Sequence, residues 1–287
     1  MKVSAPASGG PDPGGPASGG PVSVARWIPP LRLSGATQMA IDEGLLDAAI
    51  AAGARTFPTL RFYLWRRPTL SLGYHQRQLP QRWRPALARG SVDLVRRPSG
   101  GRAVLHAGDL TYALIWPQAP QRRSEAYRQA CQWLQVAFAE MGQPLVFGSQ
   151  AASGERSSCF ATSTAADLVH ADGAKRIGSA QLWRSGCLLQ HGSILVAPPA
   201  PLWRELFDHD PPPLPALPLD GAALVAQLRR CAEQQWAPLR CLSLEPRPLG
   251  PAERAEVRRR RYRYRMPVEA WEGWAVTSPA ATMPRAT

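Results

Sequence analysis

Apolar and polar residues change rhythm several times along the chain, and each rhythm names an element. From Ser34 to Gly53 the apolar positions Met39, Ile41, Leu45, Leu46 and Ala49 recur at helical spacing, which predicts an amphipathic helix that Gly53 can cap. TLRFYLWRRPTLSLGYHQ (59–76) alternates strand formers around a proline, predicting a strand, a turn at Pro68, a second strand through Leu70 and Leu72, and a loop from Gly73. VDLVRRPSGGRAVLH (92–106) and DLTYALIWP (109–117) read as further strands around a Gly-Gly turn, and SEAYRQACQWLQVAFAEMG (124–142) as a helix with Tyr127, Leu134 and Phe138 inward. Residues 161–196 predict three short strands with turns at Asp172-Gly173 and Ser185-Gly186, and 221–235 a last helix. Interleaved helices and hairpins predict an α/β (α+β) domain with mixed, largely antiparallel sheets flanked by helices.

The ends read differently. Residues 1–22 are almost wholly Gly, Pro, Ser and Ala, too poor in apolar surface to offset their ordering entropy, and are expected to form a disordered tail. PRPLGPAERAEVRRRRYRYR (246–265) is proline-broken and basic and runs into a Thr/Ala/Pro tail, so 246–287 is expected to be a partly disordered basic extension and 23–245 the domain.

With 287 residues, 45% hydrophobic and 19% charged, the chain has the composition of a globular protein with a sizeable core. Its net charge of +13 favours encounters with acidic partners. No zinc-finger spacing, leucine-zipper heptad or RNA-recognition strand motif accompanies that charge, which argues against specific nucleic-acid binding. Five cysteines, at 131, 159, 187, 231 and 241, form no CxxC pair and no metal-ligand cadence, consistent with reduced thiols and no metal site. The absence of a long apolar run or signal-like start predicts a cytoplasmic protein without membrane association.

Four constellations could carry chemistry. In RRPSGGRAVLH (96–106), Gly100 and Gly101 allow close backbone approach to a ligand beside Arg97 and Arg102; the alternative is a plain hairpin turn with solvated arginines. In AKRIGSAQ (174–181), Lys175 precedes the small residues Gly178, Ser179 and Ala180; it is either a surface charge or a buried donor able to stabilise developing negative charge. In LLQHGSILV (188–196), alternation puts Gln190 and His191 on opposite strand faces, and His191 is either a satisfied core histidine or a pocket donor. Cys159, before Phe160 in a polar loop, is either a nucleophile or a small buried hydrophobe.

In this order and spacing, QMAIDEGLL, LRFYLWRRPTLSLGYHQ, RRPSGGRAVLHAGDLTY, AKRIGSAQ and LLQHGSILV resemble the lipoate-protein ligase A and octanoyltransferase family, over about residues 25–210. The resemblance implies a biotin/lipoyl ligase-like catalytic domain. It implies that Arg97, Ser99, Gly100, Gly101, Arg102 and His106, with Gly178, Ser179, Ala180, Gln190, His191 and Gly192, line the acyl site, and that Lys175 is the catalytic lysine. Where the family usually has an apolar residue after that lysine, this chain has Arg176.

One octanoyltransferase type in this family carries a Cys-Phe ahead of the lysine segment, as Cys159-Phe160 stand here. The implied reaction takes an octanoyl (or lipoyl) group from the phosphopantetheine of acyl carrier protein onto Cys159, then onto a lysine of a lipoyl domain in 2-oxoacid dehydrogenases or the glycine cleavage H protein. No tightly bound cofactor is implied. The alternative is a lipoate ligase working through an adenylate, with ATP and magnesium.

Overall fold

The computed structural model describes residues 24–53, 56–148, 167–239 and 242–266. The expected tail at 1–22, the Cys159-Phe160 pair and residues 267–287 lie outside them.

Strand β1 (Val24–Leu33) leads into helix α1 (Gly35–Ala52), then β2 (Thr59–Trp65) and β3 (Thr69–Leu72) on either side of Pro68. A short helix α2 (Arg84–Ala88) precedes β4 (Asp93–Arg96), β5 (Val104–His106) and β6 (Asp109–Trp116). Helix α3 (Arg123–Glu140), the short β7 (Val146–Phe147) and β8 (Leu168–Val169), and the long hairpin β9 (Lys175–Arg184) and β10 (Cys187–Leu195) follow. The chain continues through α4 (Ala200–Phe207), α5 (Gly221–Gln235), β11 (Ser243–Pro246) and α6 (Pro251–Arg260).

Among the described residues eight strands form one sheet in the order β11-β1-β2-β6-β10-β9-β8-β7, and three form a second in the order β4-β3-β5. In the large sheet β1 runs parallel to β11 and β2 while every other pairing is antiparallel. The expected mixed, largely antiparallel architecture is therefore present. One face of the large sheet, through Phe62, Tyr112, Leu114, Leu188 and Ile194, packs on α3 and α5. The other face, through Tyr63, Ala113, Ile115 and Leu189, packs on α1 and receives Val257 and Tyr264. Alternation along each strand produces this two-sided burial.

Three features differ from expectation. The Gly-Gly stretch is not a hairpin turn: β4 and β5 both pair with β3, the first parallel and the second antiparallel, so the stretch arches over the sheet end. Tyr127 is half-buried, whereas Leu134 and Phe138 are buried as expected. Within residues 246–266, which follow β11 at the edge of the large sheet, α6 rests on α1. Among the arginines of this segment, Arg260 pairs with Glu43 and Asp47 of α1, and the buried Tyr264 hydroxyl donates to Glu43.

Candidate active site

Strands β9, β10, β6 and β2 are consecutive in the large sheet, so their residues form transverse rows. One row runs Gly178, Ser193, Thr111, Tyr63, and the next but one Ala180, His191, Ala113, Arg61. With strands about 4.8 Å apart, such a row spans roughly 14 Å. A cavity lies between these rows and the small sheet. Met39, Tyr63, Trp65 and Val104 supply its apolar wall, and Gly178, Ser179, Ala180 and Gly192 leave room along β9 and β10.

Two buried histidines on this wall are held alike. His191 has Nδ1 3.0 Å from an Asp42 oxygen and Nε2 2.5 Å from the Ser99 hydroxyl. His106 has Nδ1 2.8 Å from Asp109 and Nε2 2.9 Å from the Ser71 hydroxyl. A carboxylate only accepts, so each ring donates from Nδ1 and turns Nε2 to the serine hydroxyl. Burial pushes the His106 pKa below the ordinary value, with Asp109 acting against that shift, so the ring is neutral near pH 7. Asp109 also accepts from Thr111 and Ser193, at 3.1 and 2.7 Å. Asp42 accepts from the Tyr63 hydroxyl at 2.9 Å and lies 3.2 Å from the fully buried Arg61.

The arginines before the Gly-Gly stretch are structural clamps rather than solvated charges. Arg97 is buried and donates to the carbonyls of Ser71, Gly100 and Arg102, each at 2.7 Å, which fixes the arch over the cavity. Arg96 holds the preceding loop through the carbonyls of Gly73 and Gln76, at 3.0 and 2.6 Å. Gly73 is required here, because a β-carbon on it would stand 1.7 Å from the Gly101 carbonyl oxygen. Gly101 itself has φ +94°, a conformation costly for other residues.

Of the residues expected at the acyl site, Arg97, Gly101, His106, Gly178, Ser179, Ala180, His191 and Gly192 line the cavity. Ser99, Gly100 and Arg102 belong to its arch without lining it. Gln190 faces the opposite side of the sheet, bonded to Tyr112 and Gln181 at 2.8 Å and to the Cys131 sulfur at 3.2 Å. Lys175 opens β9, three residues before Gly178, buried with its ammonium 2.9 Å from Asp167. It is therefore no surface charge. Arg176 is fully buried and donates to the carbonyls of Leu195 and Pro215 at 2.9 and 2.6 Å, which is how this chain accommodates a cation beside the lysine.

A model of the lipoyl protein ligase A/B catalytic domain matches residues 34–207. This chain belongs to that family. An octanoyltransferase LipM of Carboxydothermus hydrogenoformans is 38% identical over 180 residues, 60% of this chain and 64% of that protein, so the chain spans just under two thirds of that relative's length. The LipM of Kyrpidia tusciae is 34% identical over 225 residues, 74% of this chain and 77% of that one. A Thermoplasma acidophilum protein assigned as a lipoate protein ligase, solved with bound lipoic acid, superposes with a TM-score of 0.67 at 17% identity, over 82% of this chain and 94% of that one. That likeness establishes the biotin/lipoyl ligase-like fold.

Sequence reasoning missed Asp42, Arg61, Trp65, Ser71 and Asp109, all buried around the cavity of this lipoyl ligase domain. Asp42 carried a signal: it is a carboxylate inside the apolar stripe of α1, and such a residue needs buried donors. Lys175 carried another. It and Lys2 are the chain's two lysines among 34 basic residues. A buried lysine in an arginine-rich chain suggests a need for a compact donor able to exchange a proton. Among the described residues no group of His, Cys, Asp and Glu could hold a metal, and no helix is long and apolar enough to cross a membrane.

Proposed function

We propose that the protein transfers an octanoyl group from the thioester of acyl carrier protein to a lysine of a lipoyl domain. The observation that carries this reading is the apolar cavity walled on one side by the Gly178–Ala180 segment of β9, the strand that begins with the buried Lys175. In this reading an acyl chain lies with its carbonyl end toward β9, the strand of the lysine, and its methyl end toward β2.

In the first step the Cys159 thiolate attacks the donor's thioester carbonyl, and collapse of the tetrahedral intermediate expels the pantetheine thiolate. In the second, the acceptor lysine's free amine attacks the acyl-enzyme. The carbon–sulfur bond breaks, and the amine's proton leaves with the Cys159 sulfur as thiol. Both steps build negative charge on the carbonyl oxygen, which the Lys175 ammonium, 2.9 Å from Asp167, is suited to stabilise. The net charge of +13 supports acidic carrier and acceptor proteins as partners, with rates that fall as salt rises.

The test is mass analysis of an unmodified lipoyl domain incubated with octanoyl-acyl carrier protein and catalytic enzyme, without ATP. Octanoylation of the domain is expected. Modification that appears only with free acid, ATP and magnesium would replace the transferase by the ligase.

A further inference from the structure

Two stacked rings form part of the cavity wall. Trp65 and His106 lie with centroids 3.8 Å apart and planes 14° from parallel, and both line the cavity. The same two residues also line a separate cleft whose other walls include Arg32, Arg66, Arg67 and Pro199. The stack is thus a partition between two spaces. Trp65 stands at the end of β2, and the row from Gly178 to Tyr63 places that strand three spacings from the strand bearing Lys175.

The partition is braced at each end. The Trp65 indole donates to the Thr111 hydroxyl at 2.8 Å. His106 is fixed by Asp109 and Ser71, at 2.8 and 2.9 Å. Behind the indole, Gly35 packs so closely that an added β-carbon would stand 2.8 Å from the ring. A ring held on three sides yields little to a pushing methylene, because packed interiors resist volume change.

We propose that the Trp65–His106 stack is the stop that sets acyl length, and that removing the indole joins the cavity to the arginine-walled cleft so that longer chains are accepted. The proposal rests on the acyl-transfer reading above. Methylenes beyond the stop have nowhere to go in the intact protein. Once the indole is removed they can lie along the apolar stems of Arg66 and Arg67.

The experiment loads the full-length protein with acyl carrier proteins bearing C6, C8, C10, C12 and C14 chains, read as intact-mass adducts over time. In parallel, binding of octanoate and dodecanoate is measured by calorimetry, which needs no chemistry. Wild type is expected to fall at least tenfold between C8 and C12 in both readouts. Trp65→Ala should raise the C12-to-C8 ratio at least tenfold, Trp65→Leu should raise it less, and Trp65→Phe should keep the wild-type profile. A wild type that takes C12 or C14 as readily as C8 overturns the stop, even if Trp65→Ala does not fold. A folded Trp65→Ala protein with the wild-type ratio overturns it as well. If wild type binds octanoate but loads no chain, the acyl-transfer reading fails, and the binding cut-off still decides whether the partition limits length.

Discussion

Replacing Asp42 with alanine removes the one acceptor shared by three buried donors. His191 Nδ1, the Tyr63 hydroxyl and the Arg61 guanidinium lie 3.0, 2.9 and 3.2 Å from it, and Asp42 and Arg61 are fully buried. Breaking a buried ion pair by removing one partner costs about 3–5 kcal/mol, because the remaining charge is left without compensation. Arg61 keeps its bond to the Gln38 side chain and its place 4.1 Å from the Tyr63 ring centroid, which sets the expected loss near the lower limit, about 3 kcal/mol. Equilibrium urea unfolding, followed by tryptophan fluorescence, should show a lower midpoint with an unchanged slope. In Asp42→Ala/Arg61→Met the orphaned charge is gone, so the double variant should be at least about 1 kcal/mol more stable than the sum of the single losses implies. A single-variant loss under about 1 kcal/mol, or strict additivity, would refute the buried-charge argument.

Other expectations concern the arch, pH and the thiols. Gly73→Ala must push the Gly101 carbonyl away, and a displacement of that scale should lower acyl transfer about a hundredfold; Gly44→Ala, which meets open space within α1, should instead stabilise by roughly 0.5–1 kcal/mol, both checked by transfer rates and urea midpoints. Because the folded His106 pKa is lowered, the unfolded chain takes up a proton below about pH 6.5 that the folded chain refuses. Stability should therefore be complete above that pH and fall as pH drops toward the lowered value. His106→Gln should flatten part of the slope in urea midpoints taken from pH 8 to 5, with His170, also lowered by burial, contributing the same sign. Burial raises the Cys131 and Cys231 thiols to about 11, so peptide mapping after brief iodoacetamide treatment near neutral pH should find Cys159 alkylated before either; Cys131 labelled first would count against Cys159 as the reactive thiol.

What the sequence made legible was local. The α1 helix, the β9–β10 hairpin and the helix at 221–235 follow from periodicity and turn residues within each segment, and the GSA and HG stretches that line the cavity sit inside them. The role of the Gly-Gly stretch was not local, since whether β4 and β5 pair with each other or flank β3 depends on a strand more than twenty residues earlier. Arg97 was singled out for its charge, yet that charge is spent on three backbone carbonyls, a use that spacing does not reveal. Helix α6 was hidden because Val257 is its only buried residue, leaving no apolar stripe to read in a run of arginines. Trp65, the partition proposed here, looked like one more strand aromatic until His106, forty-one positions away, was found stacked on it.

The most direct test of the account is intact mass of the protein after incubation with octanoyl-acyl carrier protein, without ATP and without acceptor, comparing wild type with Cys159→Ser and Lys175→Arg. An octanoyl adduct on wild type, absent from Cys159→Ser, formed slowly by Lys175→Arg and discharged when a lipoyl domain is added, is the predicted result. An adduct that persists in Cys159→Ser, or a wild type that stays unmodified while still octanoylating the domain, would contradict the thioester route.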